Sequence, residues 1–321
     1  MLLLKARLGR ELPAINKALS EAVEALHPSV RPVAHHIFDA GGKRLRPLLV
    51  ILTARLLGHD EEDIYPLAAC MEMLHAATLL HDDVLDNAES RRGREAAHMR
   101  FGVAATILAG DALLASANAC VARYGDPELC RCFSQATSHT AAGEILEIAS
   151  QRHVDVSADT YAEIIRGKTA WLIRASCEMG ALRAGGNVMQ VAAAAEYGEH
   201  LGMAFQLVDD ALDFADSGET GKPTAGDVRE GKLTPPLRLY RQWLDEEGRA
   251  AFDAAFVCGL LTDEDARRIA GDVRAQGFDR AAREEAAAYL YKALMALDRL
   301  PEGKELDVLR QMAEYVRDRK K

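Results

Sequence analysis

Two short stretches, "HDDVLD" at 81–86 and "DDALD" at 209–213, each set two adjacent aspartates just ahead of a third. Carboxylates that close repel each other and are costly to bury, so the pattern calls for something positive among them. Both sit in apolar runs with helical character, "MEMLHAATLLHDDVLD" and "MAFQLVDDALDF". On a helix, Asp82 and Asp86 stand one turn apart on one face with Asp83 beside them, and Asp209, Asp210 and Asp213 repeat the arrangement. Oxygen ligands at that spacing suit a hard divalent cation. Mg2+ fits because it keeps several waters and prefers to share its shell with substrate phosphate. The chemistry expected is therefore two acid clusters holding Mg2+ ions that in turn hold a diphosphate. An EF-hand is a poor fit, since its glycine and alternating oxygen ligands are missing.

A diphosphate also calls for fixed cations. "GGKRLRP" at 41–47 offers Lys43, Arg44 and Arg46; "RRG" at 91–93 places Arg91 and Arg92 just past Asp86; "RGKTAWL" supplies Lys168 and Thr169; a later irregular stretch supplies Lys222 and Lys232. A nucleotide P-loop does not account for them. Ala162 stands where Walker A requires glycine ahead of Gly167-Lys168, and the Gly-Lys pairs at 42–43, 221–222 and 231–232 lack the following Ser or Thr.

The elements that position these groups are helices. Segments 67–88, about 101–123, 128–150, 158–183, 188–216, 262–275 and 278–298 carry apolar residues at three- and four-residue spacing. No alternating segment makes a strand, and the longest irregular piece is 217–236, long enough to act as a lid. The fold expected is all-α, a single domain over 1–321 of about ten or more helices. The 321 residues are 49% apolar and 27% charged with a net charge of −10, which argues against nucleic acid and against strong attachment to anionic lipid. No run is expected to cross a bilayer, and the cytoplasm is the expected location, with at most transient membrane contact for product release. The six cysteines are scattered, and the Cys130-x-Cys132 pair lacks the second half of a zinc site.

Taken in order, "GGKRLRP", "H-x6-DDVLD-x4-RRG", "GKT", "FQLVDDALDF" and "GK…D-x-x-EGK" resemble the trans-prenyl diphosphate synthases, most of all the bacterial octaprenyl and related long-chain enzymes. The resemblance covers roughly 40–240 closely and implies a single all-α domain around a central cavity, in a homodimer that condenses isopentenyl diphosphate with an allylic diphosphate. It implies that Lys43, Arg46, His75 and Arg92 hold the isopentenyl diphosphate. Asp82, Asp86 and Asp209 would ligate Mg2+, with Asp83, Asp210 and Asp213 supporting the metal cluster. Arg91, Lys168, Thr169, Gln206 and Lys222 would contact the allylic diphosphate, Lys168, Thr169 and Gln206 would also stabilise the allylic cation, and Lys232 would close over the site. The departures are "AGDV" at 225–228, Pro235-Pro236, and Glu147 where such enzymes often carry glutamine.

Product length belongs to the residues preceding Asp82. Met71, Leu74, Ala77 and Thr78 run down that flank, and small Ala77 and Thr78 leave out the aromatic floor that stops short chains. A long all-trans product is expected, with a geranylgeranyl-type shorter one as the alternative. A terpene cyclase is disfavoured by the complete second acid motif and by "GGKRLRP". A regulatory subunit is disfavoured because both acid clusters are present, and a helical lipid-binding protein leaves the arginines and paired acids unexplained.

Overall fold

The computed structural model describes residues 2–215 and 225–320. In chain order the elements begin with α1 Leu2–Glu24, α2 Arg31–Asp39, α3 Leu45–Leu56 and α4 Ile64–Leu85. The ribbon β1 Ser90–Arg91 and β2 Arg94–Glu95 follows, then α5 Ala97–Phe101, α6 Val103–Ala122 and α7 Pro127–Ser150. Next come α8 Ala158–Ile165, a π-helical turn Arg166–Ala170, α9 Trp171–Arg183 and α10 Val188–Asp213. The chain ends with α11 Gly226–Glu230, α12 Pro235–Trp243, α13 Glu246–Cys258, α14 Asp263–Gln276, α15 Phe278–Leu297 and α16 Lys304–Arg317.

Contacts group these into two compact units. The first comprises Met1–Thr137, Ala175–Ala195 and Arg299–Leu309; the second comprises Ser138–Arg174, Glu196–Asp298 and Arg310–Lys321. In the first, the middle of α3 is apolar on every face and buries Leu48, Leu49, Val50, Ile51 and Leu52, as a central core helix must. Gly180 lets α9 approach it: a Cβ there would lie 2.3 Å from the Val50 carbonyl oxygen. The α4 helix packs against α3 and α6, burying Met71, Leu74 and Ala77. In the second unit, Phe214, Val228, Leu237, Tyr240, Phe252, Phe256 and Ile269 form one cluster. Its outer helices carry their own stop and start signals. Thr262 and Asp265 close a reciprocal capping box on α14, and Gly259 and Gly277 end α13 and α14 in the left-handed conformation at φ 65° and 76°.

Four sequence expectations need correction. The all-helical reading misses the β1–β2 ribbon, whose turn is Arg92-Gly93 with φ 52° and 74°, the two positive values a tight two-residue hairpin requires. The helix expected over 158–183 is interrupted by the π turn. Within the irregular stretch expected over 217–236, Gly226–Glu230 is helical and α12 already begins at Pro235, while 217–224 lie outside the described residues. Finally, one helix among the described residues, Val103–Ala122, is long and apolar enough to cross a membrane, with a mean hydropathy of 1.5.

Candidate active site

The first unit gathers a basic nest. Gly41 and Gly42, at φ +80° and +156°, turn the chain from α2 into α3, and Arg44 follows at φ 49°. At Gly42 the positive φ disfavours any side chain, and a Cβ would also crowd Arg92 Nη1 at 3.0 Å and Arg44 Nη1 at 3.1 Å. Arg44 is buried, donating to Glu72 Oε1 at 2.8 Å and to the Phe38 carbonyl at 2.9 Å, so it braces the loop. Arg92 Nη1 donates to the Gly41 carbonyl across the same loop. Burial lowers the Arg46 guanidinium to about 10, with Glu72 opposing and Arg92 adding to the fall. His75 feels the whole group: burial, then Arg46, Arg92, Arg91 and Arg44, push it well below the usual imidazole value and keep it neutral. Four arginines around a neutral imidazole suit an anion.

The acid turn of the same unit closes α4. Asp82 lies in its last turn and Asp86 is its C-cap, joined by a backbone hydrogen bond of 2.8 Å from Asp86 N to Asp82 O. Carboxylates at a helix C-terminus face the negative end of the macrodipole, which raises the cost of leaving them without a cation. Asp83 is fully buried. Arg91 Nε and Nη2 both donate to its Oδ1, at 2.7 and 2.5 Å, while Oδ2 is buried with no hydrogen-bond partner.

In the second unit a cavity of about 100 Å3 is lined by Glu147, Tyr161, Lys168, Gln206, Asp210, Asp227 and Lys232, among others. Lys168 enters it from the π turn, a form that recurs at functional sites and that also carries Thr169. The turn is held by glycine against glycine: a Cβ on Gly143 would lie 2.4 Å from Lys168 N, and one on Gly167 would lie 2.7 Å from Gly143 Cα. Lys168 Nζ meets Glu147 Oε1 at 2.6 Å and Glu144 Oε2 at 2.8 Å; Lys232 Nζ meets the same Glu147 oxygen at 3.1 Å and Glu230 Oε2 at 2.7 Å. Burial alone would raise Glu147, but Lys232 and Lys168 outweigh it and hold the carboxyl below its usual range.

A hydrogen-bonded relay continues inward. Thr169 Oγ1 donates to Gln206 Oε1 at 2.7 Å, and Gln206 Nε2 donates to Asp210 Oδ1 at 2.7 Å. The Tyr161 hydroxyl donates to Asp210 Oδ2. Even so, burial lifts Asp210 to about 7, with Asp209 and Glu147 adding to the rise. Asp213 accepts from the Gly226 and Asp227 N–H groups at 3.0 and 2.9 Å, and burial raises it as well. Asp227 is raised well above the carboxylate norm by burial and then by Asp213 and Asp210, and its Oδ2 has no hydrogen-bond partner. Such a crowd of buried acids fits a divalent cation. Among the described residues no three acid, His or Cys groups close around one ion by themselves. The donor set therefore suits a metal that completes its shell with water and substrate oxygens.

Each expected residue can now be placed. Arg46, His75 and Arg92 share the basic nest, with Lys43 on the same loop. Arg91, expected at the allylic diphosphate, is engaged with Asp83. Lys168, Thr169, Gln206, Asp210 and Lys232 share the second unit's cavity and relay, and Lys222 lies outside the described residues. Four participants had escaped the sequence reading. Arg319 Nη2 meets Asp209 Oδ1 at 2.8 Å while its guanidinium stacks over Phe205 at 4.4 Å; Tyr161 and Asp227 flank Asp210; and Glu147 bridges two lysines. Glu147 had left a signal as a departure from the motif, and Asp227 as the aspartate of "D-x-x-EGK", whereas Tyr161 and Arg319 had left none.

The sequence profile of the family described as Polyprenyl synthetase matches residues 27–258. The chain is 36% identical over 312 residues to heptaprenyl diphosphate synthase component 2 of Geobacillus stearothermophilus, covering 96% of each. It is 34% identical over 230 residues to octaprenyl diphosphate synthase of Escherichia coli, covering 71% of each. The crystal structure of a polyprenyl synthase from Caulobacter crescentus, complexed with calcium and isoprenyl diphosphate, superposes with a TM-score of 0.92 at 35% identity over 98% of each chain.

Proposed function

The chain belongs to the polyprenyl synthetase family and elongates prenyl diphosphates, and from that premise we propose a Mg2+-dependent synthase of long all-trans chains that acts as a homodimer in the cytoplasm, its 1–321 forming one catalytic domain. Bound divalent ions supply charge neutralisation that turns the allylic diphosphate into a leaving group. Asp82, Asp86 and Asp209 hold those ions, with Asp83, Asp210 and Asp213 behind them. Lys168, Lys222 and Lys232 bind the allylic diphosphate, and Arg91, by neutralising Asp83, orients the acid turn. Lys43, Arg46, His75 and Arg92 hold isopentenyl diphosphate, whose double bond attacks the allylic carbon as the diphosphate leaves. The Thr169–Gln206 dipoles face the developing allylic charge, and the departing diphosphate takes the proton lost from the new chain.

The observation that carries this reading is the basic nest at Arg46, His75 and Arg92 in the same unit as the acid turn of α4. A basic nest of that kind suits a second diphosphate substrate, which distinguishes chain elongation from cyclisation. Long chains are favoured by the small Ala77 and Thr78 on the flank of α4 before Asp82. A second reading, an active subunit that needs a partner, is favoured by the relative named component 2. The test is purified chain with Mg2+, isopentenyl diphosphate and a series of allylic diphosphates, with products weighed by mass spectrometry. Long polyprenyl diphosphates from the lone chain, lost by more than about 100-fold in Asp82→Ala with the fold retained, support the proposal. An inactive lone chain rescued by a partner supports the second reading.

A further inference from the structure

The first unit holds a pair of thiols that the reaction does not use. Cys70 lies in the first half of α4 and Cys120 in the last turn of α6. The two helices run past each other in register. Near the acid end, a Cβ on Gly110 would fall 2.3 Å from His81 Nε2, and His81 reaches the Ile107 carbonyl at 3.1 Å. Moving about three turns back along α4 and about three turns on along α6 brings Cys70 opposite Cys120. Their sulfurs share one acceptor, the Pro66 carbonyl, at 3.2 Å from Cys70 Sγ and 3.9 Å from Cys120 Sγ. Each thiol is also the largest influence on the titration of the other. Beside them opens a cavity of about 370 Å3, lined by Glu21 and Ala22 of α1, Ala69 and Met73 of α4, and Arg123 after α6. Cys70 is buried and Cys120 is part-exposed.

The geometry points to a peroxide-responsive modification site, in which Cys120 takes the oxidant and Cys70 closes a disulfide onto it. In the first step the Cys120 thiolate attacks one oxygen of hydrogen peroxide. The O–O bond breaks, Cys120 becomes a sulfenic acid, and the other oxygen leaves as water after taking protons. In the second, the Cys70 sulfur attacks the Cys120 sulfur, an S–S bond forms, the S–O bond breaks, and the sulfenic oxygen departs as water with the Cys70 proton. Two electrons pass from the sulfurs to peroxide.

The surroundings divide the two roles. The neighbouring Cys70 thiol is the largest influence on Cys120; with Arg123 and against burial, it brings that thiol down to about 6. Cys120 as neighbour, with burial, raises Cys70 well above its usual value, so it keeps its proton until it resolves the sulfenic acid. Exposure matches the order of events, since the reacting sulfur is the accessible one. The bridge would fix α4, which carries Asp82, against α6.

The test uses the full chain, freed of reductant, exposed to hydrogen peroxide and mapped by non-reducing peptide mass spectrometry. The expected result is loss of two of the six thiols per chain, recovered as a Cys70–Cys120 peptide that dithiothreitol abolishes. Cys70→Ala, unable to resolve, accumulates a dimedone adduct on Cys120; Cys120→Ser forms no cross-link, and Cys258→Ser behaves as the parent. Circular dichroism confirms that each variant is folded. Either of three outcomes overturns the proposal: folded parent in which Cys70 and Cys120 stay reduced while other thiols are consumed, a Cys120 cross-link to a second chain, or dimedone labelling in Cys70→Ala that spares Cys120.

Discussion

At the scale of single residues, charge is balanced locally and in advance of substrate. His75 is the plainest case, because four arginines and burial keep its imidazole neutral in the folded chain. An unfolded histidine titrates near 6.5, so the unfolded chain takes up a proton first as pH falls. The neutral His75 therefore contributes fully above about 6.5, and stability is lost as pH drops through that value. The urea midpoint of the parent should fall between pH 7.5 and 5.5 by more than that of His75→Gln, which has nothing to protonate. Equal falls in the two proteins would remove His75 from the nest. Glu147 makes the opposite arrangement, a carboxylate placed on two ammonium groups. In the proposed enzyme it competes with the allylic diphosphate for Lys168 and Lys232. Glu147→Gln keeps the shape and removes the charge, so KM for the allylic diphosphate should drop by about tenfold with kcat little changed, a difference of about 1.4 kcal/mol in binding. Steady-state kinetics at saturating isopentenyl diphosphate would read this, and an unchanged KM would show that the lysines are equally available with the glutamate present.

At the scale of elements, the decisive feature is the π turn, which aims Lys168 and Thr169 at Gln206 and Glu147. It exists because Gly143 and Gly167 bring two backbones closer than any Cβ permits. Gly143→Ala places a methyl group 2.4 Å from Lys168 N, and the clash is with backbone, so neither partner can rotate away. We expect a loss of about 1–3 kcal/mol in urea unfolding together with loss of turnover, whereas Gly9→Ala, where nothing lies within 4 Å, should cost nothing. Long helices such as α4, α6, α7 and α10 were legible in the sequence because many turns of apolar spacing accumulate the same signal. The acid motifs and the "GGKRLRP" loop were legible because their chemistry is written in adjacent residues. The π turn was not, since its cause is a neighbour on another helix. The β1–β2 ribbon and α11 were too short to show a period, and Arg319 reaches Asp209 from the far end of the chain with no local trace. What sequence shows is repetition and adjacency; what it hides is close approach.

For the whole molecule, the open question is what covers α6. Val103, Ile107 and Leu108 are 50%, 38% and 64% exposed, on a helix apolar enough to cross a membrane by length and composition. Asp111 sits near its middle and is exposed, and a carboxylate at the centre of a spanning helix costs about 2.5–3.5 kcal/mol. A protein partner that leaves Asp111 at the rim avoids that cost, which favours a second copy of the chain as the cover. A helix this long is about 30 Å, and a strip about 10 Å wide along it offers about 300 Å2. Stable interfaces bury about 800 Å2 per partner, so neighbouring exposed residues such as Met99 of α5 must contribute the rest. Leu108→Glu separates the possibilities. In an isolated chain an exposed leucine-to-glutamate change shifts stability by less than about 0.5 kcal/mol. In a dimer it buries an unpaired charge at the contact and should weaken association by at least about 100-fold, or about 2.7 kcal/mol. Sedimentation across a concentration series reads the outcome: the parent should remain dimeric at dilutions where Leu108→Glu is monomeric, with equal thermal midpoints once both are dissociated. A parent that sediments as a monomer throughout, or a variant that dimerises as tightly as the parent, would place the interface elsewhere or remove it.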